Sequence, residues 1–247
     1  MDTQILPPND ESIKKAAELI KAGELIAFPT ETVYGLGASI FNVEAIQKIF
    51  TVKGRPTDNP LIAHISSLSQ VELIGKNIPP EFSILSDNFF PGPLTIVVQK
   101  QEQVPNIASA QLSTIGIRMP HHQVAWKLIE ASGTPLVAPS ANLSGKPSPT
   151  TAAHVLEDLS GKIPLILDGG PCDVGIESTV LDLTTSPPVI LRPGHITKEQ
   201  IESVLHRPVV FASVTDAQEK VKAPGMKYRH YAPNAIVHVI TTLDQLA

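Results

Sequence analysis

Leu25-Ile26-Ala27-Phe28-Pro29-Thr30-Glu31-Thr32-Val33-Tyr34-Gly35-Leu36-Gly37 is the stretch from which the fold is read. Its first four residues form an apolar run between Gly23 and Pro29, with the length and flanks of a short buried strand. Upstream, Ile13, Ala16, Ala17 and Ile20 recur at helical spacing behind Asn9 or Asp10, either of which suits a helix N-cap, and Gly23 stops the helix. The same alternation continues downstream. A helix is predicted from Val43 to about Thr51, with Ile46, Ile49 and Phe50 inward, and a strand at Leu61–Ile65. Helical stretches near 68–75 and 80–90 precede Pro91-Gly92-Pro93 and the strand Leu94–Val98. Further strands are expected at Thr114–Met119, Leu136–Ala138, Pro164–Leu167, Ser178–Leu183, Val189–Leu191 and Val209–Phe211, with helices near 122–131, 151–159 and 197–205. This is an α/β pattern. The turn Thr185-Ser186-Pro187-Pro188 is too short for a parallel crossover, so the sheet is expected to be mixed.

A chain of 247 residues with 42% hydrophobic content can bury one large core. Its 19 basic and 24 acidic residues leave a net charge of -5, which argues against a surface built for polyanions. The one cysteine, Cys172, has no disulfide partner and no cluster for zinc or iron-sulfur ligation, so a reducing cytosol is the default compartment. The N-terminus lacks the basic start and apolar core of a signal peptide, and no apolar run approaches membrane-spanning length. A soluble, cytoplasmic protein without a membrane partner is expected.

Proline and glycine cluster where the strands end, which is where ligand sites lie in open α/β sheets. After Phe28 come two hydroxyls, a carboxylate and two glycines, but Ile40 stands where a dinucleotide fingerprint needs its third glycine. In Lys53-Gly54-Arg55-Pro56-Thr57 two cations share one side of an extended segment and suit a triphosphate; they equally suit the C-terminal dipole of the preceding helix. Arg118, in a strand of Ile, Gly and Met, must be edge-exposed, paired or used on a ligand. Ser140-x-Asn142 with Ser12-Ile13-Lys14-Lys15 mimics penicillin-binding motifs, yet no Lys-Thr-Gly follows. Glu177-Ser178 and Arg192-Pro193-Gly194 read as turn chemistry and surface charge at strand edges. Cys172 sits in a turn with no base nearby and reads as inert. Tyr228 and Tyr231, interleaved with Lys227, Arg229 and His230, suit stacking on a base and contact with phosphates.

Taken together, Pro29-Thr30-Glu31-Thr32-Val33-Tyr34-Gly35-Leu36-Gly37, Lys53-x-Arg55-Pro56, Asn59-Pro60-Leu61-Ile62-x-His64, Pro91-Gly92-Pro93-Leu94-Thr95, Arg118-Met119-Pro120, Pro139-Ser140-Ala141-Asn142, Glu177-Ser178-Thr179 and Leu191-Arg192-Pro193-Gly194 resemble, in order, the Sua5/YciO/YrdC family. The resemblance implies a curved mixed sheet flanked by helices around a large open cavity. It implies a catalytic domain over residues 8–212, a linker or lid over 213–234, and at 235–247 the stub of a missing or reduced C-terminal Sua5 domain. The implied activity is synthesis of L-threonylcarbamoyl-AMP, with release of pyrophosphate, from L-threonine, bicarbonate or CO2, and ATP with Mg2+. The product serves a downstream transferase complex that modifies tRNA position 37, so that tRNA is an indirect partner. By position, Thr30, His64, Arg118, the backbone at Ala138, and Ser178 resemble threonine contacts. Lys53, Thr57, Thr114, Ser140, Asn142, Ser148, Arg192 and Tyr231 resemble ATP contacts, with Arg55 close by, and Lys53, Arg55, Arg118 and Arg192 are the expected catalytic cations. No protein ligand to a metal is implied. The rivals are an RNA-binding or regulatory YciO-like module, disfavoured by the net charge, and a hydrogenase-maturation carbamoyl-transfer domain, disfavoured by the lone cysteine.

Overall fold

In the computed structural model the described residues are 2–212, so the expected linker, its Tyr231 and the segment 235–247 lie outside them. The chain runs β1 (Gln4–Leu6), α1 (Asp10–Lys21), β2 (Ile26–Phe28), β3 (Gly35–Ser39), α2 (Val43–Lys53), β4 (Ile62–His64), α3 (Val71–Ile74), β5 (Gly75–Lys76), α4 (Pro80–Phe89), β6 (Leu94–Lys100) and β7 (Thr114–Arg118). It continues with α5 (Gln123–Ser132), β8 (Leu136–Val137), α6 (Ala152–Leu159), β9 (Leu165–Leu167), β10 (Thr179–Asp182), β11 (Val189–Arg192), α7 (Lys198–Leu205) and β12 (Val210–Phe211). Local chemistry sets many of these boundaries. Asn9, one of the two residues offered as a cap, accepts from Ser12 N; Gly54 closes α2 in the left-handed region; Thr197 and Gln200 form a reciprocal capping box on α7.

The strands form one mixed sheet in the order β1-β9-β2-β3-β8-β4-β7-β6-β10-β11-β12, with β5 paired to β6. Pairing is parallel for β4 with β7 and for β6 with β10, and antiparallel for β7 with β6 and across the Thr185–Pro188 turn joining β10 to β11. Three strands escape the sequence reading. β1 and β5 are too short for a period to register. β3, Gly-Leu-Gly-Ala-Ser, carries small residues where strand-formers are expected. Because β1 pairs with β9, the sheet reaches back to Gln4, upstream of the expected domain start at residue 8.

Side-chain alternation divides the sheet into two faces. Ala27, Leu36, Ala63, Ile96, Ile117, Val137, Ile166 and Leu181 join the main core on one face. On the other, α1 and α5 cover only one end: Ile13, Ala16 and Ile20 meet Val124, Leu128 and Ile129 over Ile26, Phe28, Leu136, Leu165 and Leu167. Beyond these helices the same face, across β4, β7, β6 and β10, carries Ile62, His64, Gly116, Arg118, Thr95, Val97 and Val180.

Glycines here serve close packing. A Cβ on Gly37 would lie 2.7 Å from Phe28 Cε1, so the Gly-Leu-Gly of β3 makes room for a buried ring. At Gly194 a Cβ would lie 2.4 Å from Thr179 N and 2.5 Å from Glu177 O, both backbone atoms, whereas at Gly54, at φ +61°, it would meet nothing within 4 Å. Gly194→Ala is therefore expected to cost about 1–3 kcal/mol from overpacking or more, exceeding the roughly 1 kcal/mol left-handed penalty of Gly54→Ala. Urea denaturation of both variants checks the order; equal midpoints would refute the packing account.

Candidate functional site

The uncovered half of that face is the floor of a cleft that is partly open to solvent. Its lining combines floor residues Ile62, His64 and Arg118 with Arg192 at the end of β11 and loop residues Thr30, Arg55, Ala138, Ser140, Asn142, Ser148 and Ser178. The site thus lies across a sheet face and is bounded by strand-end loops, rather than sitting at strand ends alone.

Parallel register pairs His64 on β4 with Arg118 on β7, so both side chains rise from the same face. Arg118 is 4% exposed. Its Nε donates to Gly92 O at 3.3 Å, and its Nη2 lies 2.8 Å from Glu31 Oε1, the carboxylate being as deeply buried. Of the three roles open to a strand arginine, it is paired and it also lines the cleft. The pair is close but poorly aligned: Arg118 Nη2 and both Glu31 oxygens make no hydrogen bond among the described residues. We therefore take it as a Coulombic contact with donors and acceptors to spare. Beside this cation the buried His64 is pushed down to about 3, first by desolvation and then by Arg118, and so is neutral. Its Nδ1 lies 3.2 Å from Ile62 O. A carbonyl can only accept, so Nδ1 carries the proton and Nε2 is left as an acceptor.

Thr30, just past β2, accepts from Thr32 N and Val33 N and donates to Val33 O at 2.6 Å, so its hydroxyl builds the turn it sits in. Ser178 shares a 2.8 Å hydrogen bond with Thr95 Oγ1. Arg192 donates to Ser178 O through Nε at 3.2 Å and Nη2 at 2.8 Å, which ties the start of β10 to the end of β11. Arg55 donates to Asn59 O and Pro60 O. Burial and then Arg192 push its guanidinium down to about 10, still protonated at neutral pH.

Lys53 stands in the last turn of α2, where a cation favours the helix dipole. Its amine is buried behind the cleft wall and donates to Ser140 O and Asn142 O at 2.5 Å each, bracing the loop that follows β8. Burial, and secondarily Arg55, hold it well below the usual lysine range. Asn142 in turn spans its own loop, its Nδ2 donating to Leu143 O and Lys146 O. Neither Lys53, Thr57 nor Thr114 lines the cleft. Thr57 is exposed on the loop after α2. Thr114 shares the face of Arg118 but lies four residues, roughly 13 Å, along the strand.

Two charged lining residues were not singled out as ligand contacts from sequence. Lys146, within the turn after Asn142, bonds to the buried Asp158 at 2.6 Å. Glu177 accepts a short hydrogen bond from Ser148 Oγ; its signal was a carboxylate directly before a buried Ser-Thr strand start. Cys172 is as inert as expected, its thiol pushed up to about 12 chiefly by burial. No three metal-ligating side chains converge among the described residues.

Comparison with known proteins places this geometry in context. A family model described as "Telomere recombination", that of Sua5, YciO and YrdC, matches residues 18–194, and a threonylcarbamoyl-AMP synthase C-terminal domain model matches 196–247. The chain is 54% identical to a threonylcarbamoyl-AMP synthase of Pyrococcus abyssi, over 92% of this chain and 67% of that protein. It is 51% identical to the Bacillus subtilis protein of the same name, over 94% and 68%. It therefore spans about two thirds of these relatives' length. The crystal structure of P. abyssi Sua5 complexed with L-threonine superposes with a TM-score of 0.89 at 51% identity, covering 95% of this chain and 69% of that one. A model match over most of the chain, relatives above half identity and a shared fold make this chain a member of the Sua5/YciO/YrdC family.

Proposed function

We infer that the protein is an L-threonylcarbamoyladenylate synthase, a nucleotidyltransferase that forms threonylcarbamoyl-AMP and pyrophosphate from L-threonine, bicarbonate or CO2, and ATP. The observation that carries the reading is a cleft whose described lining sets four cations, Arg55, Arg118, Lys146 and Arg192, against one carboxylate, Glu177. Backbone oxygens help to orient two of them: Arg55 donates to Asn59 O and Pro60 O, and Arg192 donates to Ser178 O. Such an array suits a polyanion that loses pyrophosphate.

The chemistry asks no nucleophile of the protein. Threonine's amine adds to CO2, losing a proton, and a carbamate oxygen then attacks the α-phosphorus as the bond to pyrophosphate breaks. Position and charge are what remain to be supplied. Arg118 suits the threonine carboxylate, since its poorly aligned contact with Glu31 leaves donor capacity on the cleft side. The neutral His64 offers Nε2 to the amine or hydroxyl. Arg55, Arg192 and Lys146 face the triphosphate, while Lys53 acts from behind by holding the Ser140–Asn142 loop. Mg2+ supplies charge neutralisation on the triphosphate when bound, and the oxygen-rich lining formed by Ser140, Ser148, Glu177 and Ser178 fits a hard cation carried in with nucleotide. We further propose that the product passes to a transferase acting on tRNA position 37 in the cytoplasm, without direct tRNA contact; no helix among the described residues is long and apolar enough to cross a membrane.

Purified protein with ATP, Mg2+ and bicarbonate should release pyrophosphate when L-threonine is added and far less with L-serine; threonine-independent release would sink the reading. Arg118→Ala should lower threonine use roughly ten- to a hundredfold, the value of a charge-assisted bond. That variant also strands the Glu31 carboxylate, at a cost of about 3–5 kcal/mol. The double variant Glu31→Gln/Arg118→Gln should recover most of the stability and none of the threonine dependence, as urea denaturation and pyrophosphate assays read separately.

His64 gives a pH signature. Its folded value lies below the unfolded one, so the folded state binds fewer protons. The stability it contributes is whole above about 6.5 and falls as pH drops toward 3, by about 1.4 kcal/mol per unit. His64→Gln should flatten this slope between pH 6.5 and 4; an unchanged slope would show that His64 is protonated without penalty.

A further inference from the structure

We propose that Glu177 is the protein's own oxygen ligand to the divalent cation that accompanies the nucleotide. This deepens the synthase reading and rests on it. Glu177 is the single carboxylate among the described residues lining the cleft, where it stands with Arg55, Arg118, Lys146 and Arg192. Of the acidic groups near these cations, Glu31 lies against Arg118, Asp158 lies against Lys146, and Asp58 acts on Arg55. Glu177 forms no ion pair among the described residues; its partner there is the Ser148 hydroxyl. A carboxylate without a cationic partner, in a cleft that takes a triphosphate, repels the substrate unless a cation stands between them.

The surroundings fit that role. Mg2+ keeps several waters and is usually held by one or two carboxylates together with substrate phosphates, not by an all-protein cage. The described residues contain no group of three metal-ligating side chains, and one anchored carboxylate is what this mode of binding requires. The anchoring is thorough. Ser148 donates to the carboxylate and so selects its orientation. The backbone beneath is clamped on both sides, by Arg192 on Ser178 O and by the close approach of Gly194 to Glu177 O. The side chain is half-buried, so an isosteric amide can replace it without emptying a core site.

The test is a sign reversal, read by calorimetry with α,β-methylene-ATP on the full chain. Without divalent metal, Glu177→Gln should bind the analogue more tightly than the parent, because a repulsion is gone. With saturating Mg2+ it should bind more weakly, and Mn2+ bound to the protein–analogue complex, followed by electron paramagnetic resonance, should lose about 10-fold or more in affinity. Ser148→Ala should move both readings in the same directions by less. An equal effect with and without metal would mean that Glu177 accepts from a nucleotide hydroxyl or amine, and would overturn the metal assignment alone. A parent chain that binds the analogue under neither condition overturns the ATP reading and this inference with it.

Discussion

Arg118 and Glu31 meet at 2.8 Å with both side chains all but excluded from water, and much of the site's arrangement follows from that contact. A guanidinium on a strand that pairs with Ile62–His64 on one side and Ile96–Gln99 on the other is costly to bury. The carboxylate three residues beyond β2 compensates it, and thereby ties the turn after β2 to the end of β7. The loop after β9 lies over that turn, with Val174 N bonded to Glu31 O and Gly175 N to Thr32 O. Two distant chain segments are therefore held against the floor of the cleft before any ligand arrives. The imperfect alignment of the pair matters as much as its closeness, because a fully satisfied fork would have little left for a carboxylate substrate.

Lys146 is likewise paired, with Asp158, while three further cations donate to backbone oxygens. Lys53 is held by Ser140 O and Asn142 O, Arg55 by Asn59 O and Pro60 O, and Arg192 by Ser178 O. A carbonyl dipole satisfies a donor and fixes its direction. Crowding then shows in the guanidinium of Arg55, which Arg192 helps to depress. A polyanion entering the cleft relieves this repulsion. That is preorganisation of charge, assembled from loops whose own turns are stabilised by Thr30 and Asn142.

Much of the fold was legible because its signals are local. Asn9 and Gly23 bound α1, the Thr185–Pro188 turn forces an antiparallel pair, and short apolar runs between prolines and glycines mark β2, β4 and β9. Failures came where the cause is non-local. The strand holding Gly35 and Gly37 gave no strand signal, because Gly37 is set by the ring of Phe28 across the strand pair. Lys53 could be read as a helix cap or a phosphate contact, and its amine serves the Ser140–Asn142 loop, some ninety residues on. Lys146 and Glu177 carried no pattern that distinguishes them from ordinary turn charges; only the convergence of separate loops puts them in one cleft.

Residue order alone settled the α/β class, the mixed sheet, most element positions and, through eight short motifs in series, the family. These depend on period, capping and turn chemistry, all of which act over a few residues. Tertiary structure decided the rest: that α1 and α5 cover only part of one sheet face, that the uncovered part becomes the cleft floor, and which of the strand-end charges face it. Such choices depend on strand register and on which helix covers which strand, and those are set by packing between residues that the chain keeps far apart.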